Sequence, residues 1–415
     1  MNARNIFIAC LIVAVSVIAI HIHLTRGSFF SMKAVSGVGI VEQEPDQVDI
    51  FLEARKKALL GQVEDVDIFG EDNIVRILFV GLDSRAGQKF AHCDAIQMLE
   101  IDREKDTVSI TAVPRGTYAP LPGYGHPTSS YYVSKSCELG GLEYGIKQIE
   151  RILGKKADYV AMVGFSETLG ILRMLKLPTT DTLQWLRHRQ SYSVGEPQRA
   201  RNHSTFLKHL LVQYTPEGTS KFDSAWQYIL YKLVRTDMTF AQVQSVVQEL
   251  ASMNLNEDPE RITLAMRPVY YVQDIAYEPE HVGEDVQKMI EPIKHLLSPK
   301  DYQDVTLDEV QQKLFDMIEQ KKHDTEFVTW AHENNLWLQI EDDNKREETR
   351  YDILMLYIGM IKEQKEKERI LADYILEMEH TGKEEWAQKG RLVLNDWLEI
   401  SGQDSTNQTT TTSAE

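Results

Sequence analysis

Short β-rich runs alternate with helical patterns in the first half of the chain, and this alternation limits the folds that it can adopt. Strands are predicted at 74–80, 95–101, 107–113 and 159–163, and helices at 48–60, 141–153, 165–175 and 205–212. Strands interleaved with helices indicate a layered α/β domain, in which ligands gather at the carboxyl ends of strands.

The N-terminal segment reads as a membrane anchor. Residues 6–24 contain no Asp, Glu, Lys or Arg, and as a helix they would span about 28 Å, close to the thickness of a bilayer's hydrocarbon core. A cleaved signal peptide and a buried helix are the alternatives. We therefore expect a single-pass anchor over residues 1–25 in the cell membrane, a juxtamembrane stalk over 26–71, and extracytoplasmic domains after it.

The last third of the chain has a different character. Of the 63 acidic and 45 basic residues that give a net charge of −18, residues 301–400 hold 25 acidic and 13 basic ones. Apolar residues from Ile370 to Met378 share one helical face, which predicts a small helical domain over residues 296–400. Packing in a core is the simplest role for this face, and binding of a protein partner is the alternative. A disordered tail is expected over residues 401–415, which lack apolar anchors.

The three cysteines allow only one disulfide within a folded domain. Cys10 lies in the apolar N-terminal run, so Cys93 and Cys137 alone are candidates for a disulfide within a folded domain. Two free buried thiols are the equal alternative.

Two aspartates near predicted strand ends are candidate metal ligands. Asp83 follows the first strand in Gly-Leu-Asp-Ser-Arg, and Asp94 precedes the second. Carboxylates on neighbouring strand ends can hold one Mg²⁺ or Mn²⁺, which takes its other ligands from phosphate oxygens and water. The alternative is that both side chains cap turns.

Basic residues are concentrated in one short region. Between residues 181 and 210 there are five Arg or Lys and three His against two acidic residues. In an extended segment, the pairs Arg187 with Arg189 and Arg199 with Arg201 would point their guanidinium groups the same way. Such groups bind phosphate oxygens bidentately, so a diphosphate is the expected ligand, with Arg115 a further candidate. A solvated loop with scattered ion pairs is the alternative.

Several chemistries have no signature here. The sequence contains no phosphate-binding loop, no nucleophile elbow and no His-Glu-x-x-His zinc motif. The acidic balance and the lack of a basic recognition helix argue against binding of nucleic acid. Paired aspartates and clustered arginines instead indicate direct phosphoryl transfer, driven by positioning and charge neutralisation.

The order of these motifs resembles that of a known family. An anchor is followed by Gly81-Leu-Asp83-Ser-Arg85, Asp94, Val113-Pro-Arg115-Gly-Thr117-Tyr118, Gly140-Gly141, Trp185-Leu-Arg187-His-Arg189 and Arg199. Over residues 72–295 this order is similar to that of the LytR-CpsA-Psr family of bacterial envelope proteins.

The resemblance implies a three-layer α/β/α domain with an apolar tunnel for a polyprenyl chain. It implies a phosphotransferase that moves a glycopolymer from a polyprenyl-diphosphate carrier to peptidoglycan or a related envelope acceptor, with Mg²⁺ assistance. Catalytic roles fall to Asp83, Asp94, Arg115 and Arg189, with Asp83 and Asp94 as metal ligands. The predicted diphosphate-binding residues are Arg85, Arg115, Arg187, Arg189, Arg199, Arg201 and His203.

The chain departs from the family pattern at several positions. His92 replaces an arginine, Gly116 replaces an aspartate, and Tyr132-Val133-Ser134 replaces Lys-Ile-Asn. Asn202-His203-Ser204 likewise replaces Arg-Gln-Gln. These substitutions motivate a second hypothesis, a non-catalytic envelope scaffold that binds polyprenyl-linked glycans or wall polymer. A third, a cytoplasmic regulator, lacks support because no DNA-binding helix is evident.

Overall fold

The computed structural model describes residues 47–60, 67–83, 91–123, 125–187, 195–215, 224–291 and 307–409. The predicted anchor over residues 1–25 lies outside these ranges. None of the helices within them combines the length and the hydrophobicity needed to span a bilayer. The chain divides into two compact units, one ending at Thr306 and the other beginning at Leu307. The domain boundaries inferred from sequence stay predictions.

The first unit is a mixed α/β domain, as the alternation of patterns predicts. Its strands are β1 Ile74–Asp83, β2 His92–Asp102, β3 Thr107–Ala112, β4 Tyr159–Val163, β5 Arg235–Thr236 and β6 Ile262–Met266. Its helices are α1 Gln47–Leu60, α2 Val133–Gly140, α3 Leu142–Leu153, α4 Phe165–Met174, α5 Thr179–Arg187, α6 Gly195–Tyr214, α7 Ser224–Tyr231, α8 Phe240–Ser252 and α9 Val282–Ile290.

The strands form one sheet in the order β5-β4-β1-β2-β3-β6. β1 pairs in parallel with β4, and β3 pairs in parallel with β6. The remaining neighbours are antiparallel. Consequently the end of β1, the start of β2 and the end of β3 lie at the same edge of the sheet.

Helices cover both faces of this sheet. On one face, alternate residues of β1 pack in a core with α1, α2 and α3, as Leu78 and Val80 do with Leu52 and Ile149. On the other face, the Gln97 side-chain amide in β2 donates to the Ala200 carbonyl, and the Ser204 hydroxyl donates to Gln97. Those two contacts fix α6 across the sheet.

α1 is attached to the sheet by buried charge pairs. The Arg55 guanidinium donates to the Asp237 carboxylate at 2.5 Å, and Asp237 also accepts from the Val160 backbone amide. Burial raises the pKa of the Asp237 carboxyl, which the Arg55 charge opposes. A second pair joins Arg235 to Asp49 at 2.7 Å. The stalk residues after Gln47 thus include a helix that belongs to the folded domain.

The second unit is helical, as expected from its sequence. It contains α10 Leu307–Lys321, α11 Thr325–Glu333, α12 Asp343–Met360, α13 Gln364–His380 and α14 Glu384–Thr409. The face from Ile370 to Met378 is buried with Leu354, Ile358 and Ala387, so core packing is its role within this unit. Asp324 and Asp342 cap α11 and α12 through their side chains.

The end of α14 differs from the expected disordered tail. The helix continues to Thr409 and so includes residues 401–409. No proline interrupts the sequence after Glu384, and this allows the backbone hydrogen bonds to continue beyond the last apolar residues.

Candidate functional site

An apolar cavity of about 470 Å³ lies beside β1 and β2, under α4, α5 and α6. Its volume is in the range of small-molecule and cofactor sites, roughly 300–1,000 Å³. The apolar lining consists of Phe79, Val80, Leu82, Ala95, Val163, Phe165, Ile171, Leu172, Leu183, Leu186, Phe206, Leu207, Leu210 and Val234. The polar lining includes Asp83, Asp94, Gln97, Arg199 and His203. The two aspartates lie at the sheet edge where β1 ends and β2 begins.

A β-bulge gives Asp94 its place in this lining. Gly81 pairs with Ala95 and Leu82 pairs with Cys93, so Asp94 is the extra residue of the bulge. Cys93 then faces the core, whereas Asp94 and Ala95 both line the cavity. The strands approach closely here: a Cβ on Gly81 would lie 2.8 Å from the Cβ of Ala95. Glycine is therefore required at position 81 for this pairing.

Asp94 is the centre of a charged group that we call the cavity cluster, formed by Asp94, Arg115 and Arg199. The Asp94 Oδ2 atom lies 2.5 Å from Nη1 of Arg115 and 3.6 Å from Nη2 of Arg199. The exposed side-chain fractions are 15%, 27% and 13%, respectively. The other oxygen, Oδ1, accepts from the Ser134 hydroxyl at 3.2 Å. Three residues far apart in sequence thus converge beside the cavity, which Asp94 and Arg199 line.

The expectation of an extended segment around Arg199 and Arg201 is wrong. Both residues lie in α6, which begins at Gly195, ten residues before the predicted start. Pro197 falls in the first turn, where its missing N–H has no intrahelical partner to lose. Residues two apart in a helix point to different sides. Arg199 accordingly joins the cavity cluster, while Arg201 pairs with Asp274.

His203 lies one turn after Arg199 and also lines the cavity. Its Nε2 atom is 2.9 Å from the Leu186 carbonyl oxygen. Burial, reinforced by the Arg199 charge, lowers the pKa of His203 to about 3. The ring is therefore neutral at physiological pH, with Nε2 as the donor to Leu186. His203 contributes no positive charge to the site in this state.

Three predicted site residues are not placed by the structure. Arg85 and Arg189 lie outside the described ranges, and Arg187 is the last residue of α5, with no description of its side chain. The roles predicted for them remain predictions. Asp83 closes β1 opposite His92, so it lies in the strand pairing next to the bulge that carries Asp94.

The structure also brings to the site residues to which the sequence analysis gave no site role. Ser134 contacts Asp94 from the start of α2. Cys93 and Cys137 form a disulfide, which decides between the two alternatives left open for them. His92 lies 3.4 Å from Glu138, which also pairs with Lys135. The available signal was the segment Tyr132-Val133-Ser134, which stands where the family pattern has Lys-Ile-Asn before the double glycine.

The carboxylates at this site suit a divalent cation that takes its other ligands from the phosphates of a substrate. In the part of the chain that the structure describes, no three His, Cys, Asp or Glu side chains converge as a metal site. Asp83 and Asp94 nevertheless line the same cavity from adjoining strand ends. One or two carboxylates plus substrate phosphates is the ligand set that Mg²⁺ takes in proteins. The residues present fit such an ion.

Part of this site lies in a segment that matches a known family. The LytR_cpsA_psr family model matches residues 49–169, which include β1, the bulge with Asp94, and Arg115. Over these residues the chain is similar to the LytR-CpsA-Psr family. The match confirms the resemblance seen in the order of the sequence motifs.

The curated relatives that match this chain have two kinds of name. The regulatory protein MsrR of Staphylococcus aureus is 27% identical over 180 residues, which is 41% of this chain and 52% of MsrR. TagT of Bacillus subtilis, named a polyisoprenyl-teichoic acid–peptidoglycan teichoic acid transferase, is 26% identical over 117 residues, or 27% of this chain and 34% of TagT. The match thus spans about half of MsrR and a third of TagT.

Solved structures are more distant. B. subtilis TagV aligns with a TM-score of 0.39 and 15% identity, over 53% of this chain and 98% of TagV. TagT bound to LIIa-WTA aligns with a TM-score of 0.36 and 13% identity, over 57% of this chain and 96% of TagT. The similarity to the LytR-CpsA-Psr family rests on the sequence matches.

Proposed function

We propose that this protein is a membrane-anchored phosphotransferase that moves a glycopolymer from a polyprenyl-diphosphate carrier to peptidoglycan or a related envelope acceptor. The observation that carries the proposal is the apolar cavity with the cavity cluster beside it. A polyprenyl diphosphate has the same division, with a long apolar chain attached to a compact, highly charged group.

The cavity cluster supplies the charge that a diphosphate needs. Guanidinium groups pair with phosphate oxygens through two parallel hydrogen bonds. Arg115 and Arg199 both face the Asp94 carboxylate, so they converge on one point. An entering diphosphate would compete with Asp94 for these guanidinium groups. The apolar side chains of α4, α5 and α6 would cover the adjoining isoprenoid chain.

The proposed reaction breaks one bond of the diphosphate. A hydroxyl oxygen of the acceptor sugar attacks the phosphorus that carries the glycan, and the bond from that phosphorus to the bridging oxygen breaks. The polyprenyl monophosphate leaves with the bridging oxygen and its electron pair. The hydroxyl proton passes to the carboxylate of Asp83 or Asp94, and Arg115, Arg199 and the predicted Arg189 stabilise the charge on the leaving group.

A divalent cation belongs to the same proposal. Asp83 and Asp94 would hold Mg²⁺ or Mn²⁺ against the diphosphate. The proposal is supported by the position of both carboxylates in the lining of one cavity. When bound, the ion neutralises negative charge on the phosphate oxygens. Arg85, Arg187, Arg201 and His203 remain proposed contacts of the diphosphate. Of these, Arg201 would first have to leave Asp274, and His203 would act as a neutral ring.

The location and partners follow from the same role. We propose that residues 1–25 anchor the protein in the cytoplasmic membrane and that both units are extracytoplasmic, near the lipid carrier. The Cys93–Cys137 disulfide supports an oxidising compartment. The name of TagT supports transfer of a wall polymer to peptidoglycan. A protein partner for the helical unit is a further proposal, and nucleic acid is not expected as a ligand.

The test is a transfer assay with the full-length chain in detergent, a polyprenyl-diphosphate-linked glycan and peptidoglycan fragments. We expect transfer that depends on Mg²⁺ and falls at least 100-fold in Asp94→Asn, because the carboxylate charge is lost. Asp258→Asn, at an exposed aspartate that pairs with Arg261, is the control and should retain the wild-type rate. Equal rates in the two variants would reject a role for Asp94 in transfer.

The scaffold hypothesis is supported by one specific observation. Both Asp94 oxygens are engaged by protein groups, and His203 is neutral where a cationic ring would favour phosphate. A scaffold would bind the polyprenyl-linked glycan without turnover. Binding of the glycan by the wild-type chain with no transfer, with or without Mg²⁺, is the result that would favour this alternative.

A further inference from the structure

The start of α2 is joined to the cavity cluster by several independent contacts. The Ser134 hydroxyl donates to Asp94 Oδ1 at 3.2 Å, and the Ser134 side chain is almost fully buried. The Ser134 backbone amide donates to the Arg115 carbonyl at 3.1 Å, and the Val133 amide donates to the Thr117 carbonyl at 2.8 Å. One short segment therefore contacts both the aspartate of the cluster and the loop that carries Arg115.

The disulfide holds this segment against β2. Cys93 directly precedes Asp94, and Cys137 lies three residues after Ser134 in α2. The bond thus joins the two elements that carry the hydrogen-bonded pair, at positions adjacent to the pair. Gly145 in α3 makes room for it, because a Cβ there would lie 2.4 Å from the Sγ atom of Cys137.

The contacts divide the two oxygens of Asp94 between different partners. Oδ1 is engaged by Ser134, and Oδ2 faces the guanidinium groups of Arg115 and Arg199. A carboxylate can rotate about its Cβ–Cγ bond, and a fixed donor on one oxygen determines the direction of the other. Because Asp94 belongs to a bulge, the strand pairing does not hold its side chain in place.

We infer that Ser134 is a positioning residue for Asp94, and that the Cys93–Cys137 disulfide maintains Ser134 at hydrogen-bonding distance. The inference rests on the proposed function for its effect on transfer. Its structural part, the direction of the Asp94 carboxylate, is independent of that function.

The kinetic test compares two serines of the same helix in the full-length chain. Ser134→Ala should lower kcat about tenfold with little change in KM, as expected for loss of a hydrogen bond to a charged group. Ser134→Thr retains the hydroxyl and should restore most of the rate. Ser136→Ala is the control, since Ser136 is equally buried but donates to the Val133 carbonyl. An equal loss in Ser134→Ala and Ser136→Ala would mean that both act only on helix stability.

The disulfide is tested in the same assay. The double variant Cys93→Ala/Cys137→Ala should lose transfer by a similar factor, and adding Ser134→Ala to it should cause little further loss. Additive losses would contradict a shared role. Thermal unfolding of each variant identifies any rate that falls because the domain is unfolded.

A crystal structure of Ser134→Ala separates this inference from the proposed function. A changed direction of the Asp94 carboxylate, with altered distances to Arg115 and Arg199, is the expected result. An unchanged carboxylate overturns the inference whether or not the wild-type chain transfers glycan. If the wild-type chain transfers nothing and the carboxylate still turns, the proposed function fails and the positioning role stands.

Discussion

Two clusters in this protein consist of the same types of side chain, arginines and carboxylates, but have different roles. The cavity cluster of Asp94, Arg115 and Arg199 borders an apolar cavity in the α/β unit. The second group, which we call the helical cluster, joins Glu347, Arg350, Glu377 and Lys383 in the helical unit. In that cluster, Arg350 donates to both Glu377 oxygens, at 2.7 and 2.6 Å, and its guanidinium lies over the rings of Trp337 and Tyr374.

The difference lies in what surrounds the charges. Aromatic rings and α12 and α13 enclose the helical cluster, so its arginine is held by a bidentate pair with a fixed geometry. The cavity cluster has cavity space on one side, and its second arginine contact is long, at 3.6 Å. A ligand can therefore replace a protein partner in the cavity cluster. An arginine–carboxylate cluster that is enclosed by protein thus stabilises the fold, whereas one that borders a cavity is available to bind a ligand.

The largest expected effect is on the helical cluster. Arg350→Ala removes the guanidinium that pairs with both oxygens of Glu377 and also contacts Glu347, and breaking a largely buried pair typically costs about 3–5 kcal/mol. Hydrogen exchange of amides in α12 and α13 of the full chain measures the free energy of local opening. Arg391→Ala, at a solvent-exposed pair with Glu379 and Glu384, is the matched control and should change exchange little. Similar exchange in the two variants would contradict a structural role for the helical cluster.

The cavity cluster should respond in the opposite way. Arg115→Ala is expected to lower transfer about 100-fold, because a guanidinium aimed at developing phosphate charge is lost. The melting temperature of the domain should change little, since Arg115 is partly exposed and Asp94 keeps its contacts with Ser134 and Arg199. Arg151→Ala, on the exposed side of α3, is the control. A large loss of stability in Arg115→Ala would make the cavity cluster resemble the helical one.

Much of the fold follows from local patterns in the sequence. The predicted strands at 74–80 and 159–163 correspond to β1 and β4, and the predicted helix at 141–153 corresponds to α3. Each of these elements buries apolar residues at a regular spacing, so it can be predicted from its own segment of sequence. The resemblance to the LytR-CpsA-Psr family was also evident from the order of motifs, and the family match over residues 49–169 confirms that resemblance.

The site was less accessible to sequence reasoning, for reasons that particular residues show. Asp94 lines the cavity because a bulge shifts the register, and a bulge depends on the partner strand. Arg199 and Arg201 point to different sides because α6 begins before Pro197, where the sequence analysis expected an extended segment. Ser134 meets Asp94 only through the packing of α2 on β2. Each of these contacts joins segments that are distant in sequence.

Arg199 and Arg201, both in α6, allow the same comparison between a cavity residue and a residue in a surface ion pair. Arg199→Ala should lower transfer about 30-fold, since Arg199 faces the cavity beside Asp94. Arg201→Ala removes an ion pair with Asp274 and should change transfer by less than about threefold, because a partly exposed pair contributes little. Both rates come from one transfer assay with matched protein levels. A larger loss in Arg201→Ala would make Arg201 a main contact of the diphosphate rather than a minor one.

The smallest effect concerns the neutral histidine beside the cavity cluster. His203 has a folded-state pKa near 3, lowered by burial and by Arg199, against about 6.5 when unfolded. Between these values the unfolded chain binds more protons, so stability is fully present above pH 6.5 and decreases as the pH falls. We expect His203 to account for about 2 kcal/mol of lost stability between pH 7 and pH 5.

Chemical denaturation at the two pH values measures this contribution. His203→Gln keeps a side-chain donor for the Leu186 carbonyl but removes the titration, so its stability should depend less on pH than that of the wild type. His281→Gln, at an exposed position before α9, should retain the wild-type dependence. If His203→Gln also retains it, the ring is already able to take up a proton in the folded state. Arg199 would then have a second positive charge beside it, and the phosphate-binding role of His203 would regain its electrostatic basis.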